Sequence, residues 1–274
     1  MSTSIDQAFV KQFESDVFVA YQRMGSKMRG TIRTTTIVKG ADTTFFKVGK
    51  GEASTKSRHG TVPVMNAVHS NVNCPVNDYY AGDWTDKLDL LKTNIDERQI
   101  VASTGAYALG RKTDTLIKTA LTATTSSIVH GGVGLDRTKV LKTFETANKS
   151  DIPDDGKRFF VVAPQAWNNL LTLAEFANAD YVGYDQQPWV SGLTAKRWLN
   201  IWFYMFTGLD VTGPLVRTNF FYHGASAGHA IGDDIETDVT WHGDRAAWFV
   251  NNMMSMGAIL IDSTGVISVQ TQEV

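Results

Sequence analysis

At 274 residues, 43% of them apolar and 20% charged, the chain is long enough to build one large domain or two modest ones around a real core. Its one cysteine, Cys74, rules out an internal disulfide; its polar start, MSTSIDQAFV, lacks the plan of a signal peptide; and its longest apolar candidate, WLNIWFYMF, falls far short of the roughly 20 residues of a bilayer span, so a soluble, non-secreted chain without a membrane partner is expected. The net charge of −2 is unevenly spread, with ten basic and five acidic residues in 1–60 against sixteen and twenty-three in the rest, so a basic leading segment precedes an acidic body: a nucleic-acid arm, a contact for an acidic neighbouring subunit, or solvated charge.

Residues 5–25 place Ile5, Ala8, Phe9, Phe13, Val17, Ala20 and Met24 at steps of three or four, an amphipathic helical stripe that needs a surface to lie on, in this subunit or another. From Thr31, TIRTTTIVKG is β-branched and alternating, and the stretch up to Trp84 mixes short β-prone runs with Gly, Pro and Asn. Its middle holds Lys47, Lys50, Lys56, Arg58 and His59 and little that would anchor a core. A polar loop of that length is unusual inside a compact domain, and the β-prone runs beside it predict a projecting two-stranded arm. From Thr85 to about Thr122 there is no proline, and Leu88, Leu91, Ile95, Ala102, Ala106, Leu109, Leu116 and Ala120 keep a helical period. About 38 residues of helix would span roughly 57 Å. Gly105 and Gly110 each weaken it by about 1 kcal/mol, so a kink or break belongs near Asp96 or Gly105, where small residues also let another element approach closely.

TTSSIVHGGVGLD is a linker by composition. Asp136 then serves as N-cap of the helix RTKVLKTFETANKS, DIPDDGK forms a turn, RFFVVA a buried strand, and Pro164 opens the helix PQAWNNLLTLAEFANA, together one side of an α/β layer. NIWFYMFTGLD and TNFFYHGASAGHAIG read as strands around a turn at Gly213-Pro214. The chain closes on a predicted hairpin, Ala258–Ile261 with Val266–Val269 around DSTG.

Gly224-Ala225-Ser226-Ala227-Gly228 matches the G-x-S-x-G pattern of serine hydrolases. That chemistry needs a helix directly after the serine, then an acid and a histidine on further sheet. Here two glycines and a β-like alternation follow, with 48 residues left, so small residues in a turn account for the match. A hydrolase using Ser226 stays as the rival from another class. His223 and His229 are six apart, unlike a metal pair on a helix or a strand, even with Asp233 and Asp234 beside them. His69, Cys74 and Asp78 follow no ligand pattern, GKGEASTK lacks the phosphate-loop spacing, and Asp83, Asp86, Asp89, Asp96 and Glu97 read as a solvated helix face. Nothing assembles a nucleophile, a base and a charge-stabilising group; no catalytic residue, cofactor or metal is assigned, and the chain is expected not to be an enzyme.

A terminal amphipathic helix, a basic β-arm and an overlong helix all ask for neighbours. Their order resembles the major capsid protein of tailed bacteriophages with the Hong Kong 97-like fold, and KVGKGEASTKSRHGTVPVMN followed by YYAGDWTDKLDLLKTNIDERQIVASTGAYALGRKTD is similar to phage capsid sequences. The resemblance implies an α+β fold with an N-terminal arm at 1–30, an extended β-hairpin loop at 31–80, a peripheral domain with a long spine helix at 81–134, an α/β axial domain at 135–235, and return strands of the peripheral domain at 236–274. It implies intersubunit contacts through Lys47, Lys50, Lys56, Arg58 and His59 of the loop and through Phe9, Phe13, Val17, Arg23, Lys27 and Arg29 of the arm, with Trp84, Trp189, Trp198 and Trp202 as candidate anchors. Its implied partners are copies of itself in pentamers and hexamers, a portal protein, a decoration protein, and packaged double-stranded DNA held by delocalised charge. The product is a virion shell assembled in the host cytoplasm. No long charged helical leader precedes the arm, so none is expected to be removed and a separate scaffolding protein is implied. The lysine–asparagine cross-link of some relatives finds no matching trio here. Two further rivals are an encapsulin-like compartment, which shares the architecture but encloses enzyme cargo, and a DNA-binding protein using the basic leading segment.

Overall fold

The structure, a computed structural model, describes residues 24–36, 40–88, 97–177 and 195–273. The chain forms two compact units: a smaller one of Met1–Gly25, Asp78–Arg111 and Asp234–Met254, and a larger one of Ser26–Asn77, Lys112–Asp233 and Ser255–Val274.

The larger unit is built on a seven-stranded mixed sheet. Its strands are β5 (Ser126–Ile128), β6 (Arg158–Val162), β7 (Ala195–Trp198), β8 (Ile201–Met205), β9 (Val211–Gly213), β10 (Val216–His223) and β14 (Val266–Gln272). They run in the order β5-β14-β10-β6-β8-β7, with β9 also on β10. β6 is the predicted RFFVV run; after Arg158 it is apolar because it is covered on both faces, with Phe160, Val161 and Val162 fully buried. It pairs with β8 in parallel, Arg158 opposite Ile201, so the chain must cross over between them, and helices α3 (Pro164–Leu171) and α4 (Ala174–Ala177) lie on that route. Pro164 starts α3 as expected. Helix α2 (Arg137–Lys149) begins where Asp136 accepts a hydrogen bond from the Lys139 amide at 3.0 Å. The core is aromatic: Phe203 lies 5.1 Å from Phe160 and 5.9 Å from both Phe176 and Trp198, centre to centre. Asn219, fully buried on β10, accepts from the Ala163 amide at 2.7 Å and donates to Val269 O and Thr271 Oγ1, joining the start of α3 to β14.

The same unit carries the hairpin of β2 (Asp42–Val48) and β3 (His69–Pro75), the two-stranded element predicted from sequence. Its root packs beside β11 (Ala227–Ile231), which pairs in parallel with β1 (Arg33–Thr35) and antiparallel with the 256–260 part of β13 (Ala247–Leu260). Phe45 closes this corner with Cys74, Ala230 and Ile261. The approach requires glycine at 228, where a Cβ would sit 2.6 Å from the Phe45 ring. Burial pushes the Cys74 thiol up to about 11, against a smaller downward pull from a hydrogen bond with the Ala230 backbone. The thiolate is the reactive form, so at pH 8 iodoacetamide should label the folded chain about a hundredfold more slowly than the unfolded one, two pKa units being a factor of about a hundred. Because the folded value is the raised one, stability should be intact below about pH 9 and fall as pH rises towards 11. Equal labelling rates would refute the burial.

In the smaller unit, β4 (Asn77–Asp86) and β12 (Glu236–His242) pair with β13, β12 along residues 247–253. Helix α1 (Glu97–Thr122) contributes its first half here and its second half to the larger unit. Its 26 residues amount to about 39 Å. The sequence placed the helix start at Thr85; Thr85 and Asp86 instead finish β4, Lys87 and Leu88 are helical, and residues 89–96 lie outside the described residues. Of the two places where a kink or break was expected, Asp96 lies outside the described residues, and at Gly105 the helix runs on unbroken. That glycine serves close approach: a Cβ there would strike the Asn252 amide and Ala81 O, which are joined by a hydrogen bond of 3.2 Å.

A second correction concerns the chain end. β13 and β14 are not a hairpin but belong to different sheets. Asp262-Ser263-Thr264-Gly265 is a sheet-switching corner with a short 3₁₀ turn at Ser263–Gly265, capped by Asp262, which accepts from the Thr264 amide at 3.0 Å. The turn signal was right; turn residues alone do not tell a reversal from a corner.

Candidate intersubunit contact surface

The expected loop residues occupy the β2–β3 hairpin and the connection beyond it. The ladder runs from Asp42 opposite Pro75 to Val48 opposite His69 and ends where the Gly49 amide donates to Val68 O at 2.7 Å. Between Gly49 and Val68 the chain forms no regular element, and almost every residue is exposed. Lys47 pairs with Asp262 at 2.8 Å and Lys50 with Asp151 at 2.5 Å, both within the larger unit. Burial pushes the Asp262 carboxyl up, but hydrogen bonds from Lys47 and Thr264 outweigh it and leave the group below its ordinary value. Asp151 is held low by the hydrogen bond and charge of Lys50. These two pairs fasten the base of the loop. Lys56, Arg58 and His59 lie further out, are exposed, and make no ion pair with a described residue.

The sequence reading fixed on those charges and passed over the apolar residues beside them. Phe46, Val48, Val62, Val64, Met65 and Val68 are 57 to 78% exposed. Apolar side chains concentrated on one element and left in water mark a contact surface. The signal was available in TVPVMNAV, where valine recurs without any core-forming neighbour.

Of the arm residues, Phe9, Phe13, Val17 and Arg23 lie outside the described residues, as does Trp189. Lys27 is exposed and Arg29 half-buried, flanking Met28, which is fully buried in the main core. Trp198 is half-buried in the aromatic core, whereas Trp202 and Trp84 are 40% and 38% exposed. In the smaller unit, Arg245 lies over the Trp84 ring at 4.4 Å and Phe249 packs against it at 4.6 Å.

Ser226 turns out to be a structural residue. It is buried in the turn between β10 and β11, its hydroxyl donates to His223 O at 2.6 Å, and its carbonyl accepts from the Ile261 and Asp262 amides. The element that follows is strand β11, not the helix a nucleophile elbow needs. His223 Nδ1 accepts from the Ala225 amide, so Nε2 carries the proton and donates to Asp155 at 3.0 Å. Burial pushes the Asp155 carboxyl up, but hydrogen bonds from His223 and the Lys157 amide overcome it and the net shift is downward. Among the described residues no three His, Cys, Asp or Glu side chains group as a metal site. Ser226→Ala should therefore cost about 1 kcal/mol of stability, the worth of one hydrogen bond, and leave turnover of p-nitrophenyl esters at the buffer rate; loss of a wild-type esterase activity on that substitution would reinstate the hydrolase.

No helix among the described residues is long and apolar enough to cross a membrane. Several solved phage capsids and heads share the fold. The chain is similar to the capsid of cyanophage P-SCSP1u at 15% identity and a TM-score of 0.73, over 100% of this chain and 96% of that one. It is similar to the head of Helicobacter pylori bacteriophage KHP40 at 9% identity and a TM-score of 0.76, over 96% and 94%. The capsid of Ralstonia phage GP4 gives 13%, 0.70, 100% and 99%. At such identities these likenesses establish the fold. No curated protein matches the sequence. The profile described as phage capsid protein matches residues 5–273, and by that match over nearly its whole length the chain belongs to the phage capsid protein family.

Proposed function

We propose that the chain is the major capsid protein that self-assembles into an icosahedral head shell around viral double-stranded DNA, and that it acts as a structural subunit and not as an enzyme. The observation that carries this, beside the family, is the 49–68 connection: exposed, apolar on several positions, basic at its tip, and with no core of its own. The larger unit, with its seven-stranded sheet, is the axial α/β domain, and the smaller unit, with the first half of α1, the peripheral domain of a Hong Kong 97-like subunit. Residues 31–80 are the extended loop and 1–30 the arm. Axial domains gather into pentamers and hexamers. Lys56, Arg58 and His59, with the apolar residues next to them, lie on the acidic peripheral domain of a neighbour, and Phe9, Phe13 and Val17 brace a second contact. Exposed ion pairs contribute only about 0–1 kcal/mol each, so the apolar area, at roughly 25 cal/mol per Å², holds the shell and the charges set register. A scaffolding protein, a portal and a decoration protein complete the assembly in the host cytoplasm, and DNA meets the inner surface through delocalised charge. Gradient sedimentation of the expressed chain tests the reading. Material sedimenting as closed particles supports it, and a protein that stays a monomer at every concentration and with scaffolding protein present rules it out.

A further inference from the structure

Asp114, in the second half of α1, is fully buried, yet it is no part of the sheet or of the loop described above. Its carboxylate faces the start of the described chain. It accepts from Ser26 Oγ at 2.5 Å, from the Lys27 amide at 3.1 and 3.2 Å, and from the Met28 amide at 3.0 Å. Ser26 Oγ in turn accepts from the Arg29 amide at 3.2 Å. Residues 26–29 lead into a 3₁₀ turn at Arg29–Thr31, whose own cap residue, Met28, supplies no side-chain cap bond. Asp114 therefore does the work of a cap from 86 to 88 positions away. Beyond the turn, Thr31 Oγ1 donates to Met28 O at 2.7 Å and meets Tyr222 OH at 2.5 Å, which meets Tyr204 OH at 2.5 Å.

A buried carboxylate is costly unless donors satisfy it, and an apolar side chain would pack a helix onto a sheet without that cost. What Asp114 adds is a fixed seat for Ser26–Met28. We propose that Asp114 is a positioning residue whose carboxylate latches Ser26–Met28, so that the chain preceding them leaves the subunit from a fixed point. The proposal rests on the assembly reading above and names the residue that makes the arm's reach reproducible. Met28 and Ile32, buried in the core, hold the chain that follows, so loss of the latch frees the root and leaves the subunit folded.

The test uses the full chain with Asp114→Asn, which turns an acceptor pair into one acceptor and one donor aimed at N–H groups, and with Ser26→Ala, which removes one donor and is milder. In unassembled subunits, tryptic cleavage after Lys27 and Arg29 should rise about tenfold or more in Asp114→Asn and less in Ser26→Ala, since charge-assisted hydrogen bonds are lost and cleavage tracks the open population. Cleavage after Lys56 and Arg58, in the exposed loop, should not change and serves as the internal reference. Closed-shell yield should fall in the same order. If Asp114→Asn does not fold, Ser26→Ala carries the comparison alone. Unchanged cleavage at the root overturns the latch. Faster cleavage with wild-type shell yield overturns its role in assembly. A wild-type chain that builds no shells with scaffolding protein present sinks the assembly reading itself, while the cleavage ratio still decides whether the latch exists.

Discussion

A chain in which residues 50–67 are replaced by Asn-Gly should fold and build no closed shells. The replacement is chosen so that the hairpin root survives. Gly49 and Val68 already face each other through a backbone hydrogen bond, and a two-residue Asn-Gly link suits a right-twisted ladder. Cutting the connection from eighteen residues to two lowers its closure entropy by about 2 kcal/mol at most, which offsets the exposed Lys50–Asp151 pair that is lost. Thermal stability should therefore be unchanged or higher. The loss falls on assembly, because Val62, Val64 and Met65 leave with the loop, as do Lys56, Arg58 and His59. A gradient of the variant should show slowly sedimenting subunits where the wild type shows particles. Particles at wild-type yield would mean that the loop is ornamental and that subunits are held elsewhere.

Phe203→Ala should act in the opposite way, on the fold itself. Phe203 is fully buried in the middle of the aromatic cluster of Phe160, Phe176 and Trp198. Removing a buried phenyl ring leaves a cavity as well as lost transfer energy, and costs about 3–5 kcal/mol. A domain typically has about 5–15 kcal/mol in hand, so the midpoint of denaturant unfolding should drop sharply with the slope unchanged. A loss under about 1 kcal/mol would show that the seven-stranded sheet does not depend on this cluster. The two variants separate the roles: one keeps stability and loses shells, the other loses both.

Much of the fold was legible from local pattern. RFFVV announced a doubly covered strand, Asp136 and Pro164 marked helix starts, and the proline-free run to Thr122 announced α1. Each is a short-range signal written in neighbouring residues. The misses are long-range. Nothing near Ile261 says whether β14 turns back on β13 or moves to the seven-stranded sheet; that is decided by β10, whose Phe220 lies opposite Ser268. Gly105 reads as a helix weakness until Asn252 and Ala81 are seen to need its missing side chain. Asp114 reads as one more charge on a helix, because its partners lie at the other end of the sequence. In the candidate contact surface, the basic residues were readable as charge, while the apolar ones drew no notice until the structure left them in water. Lys47 and Lys50 needed the fold to bring Asp262 and Asp151 alongside.

The most direct test of the account is a cryo-electron microscopy reconstruction of the particles formed by this chain together with its scaffolding protein. The account predicts closed shells of pentamers and hexamers in which residues 49–68 of each subunit lie against the next. Shells in which those residues fold back on their own subunit, or a preparation that remains monomeric at high concentration with scaffolding protein present, would contradict it.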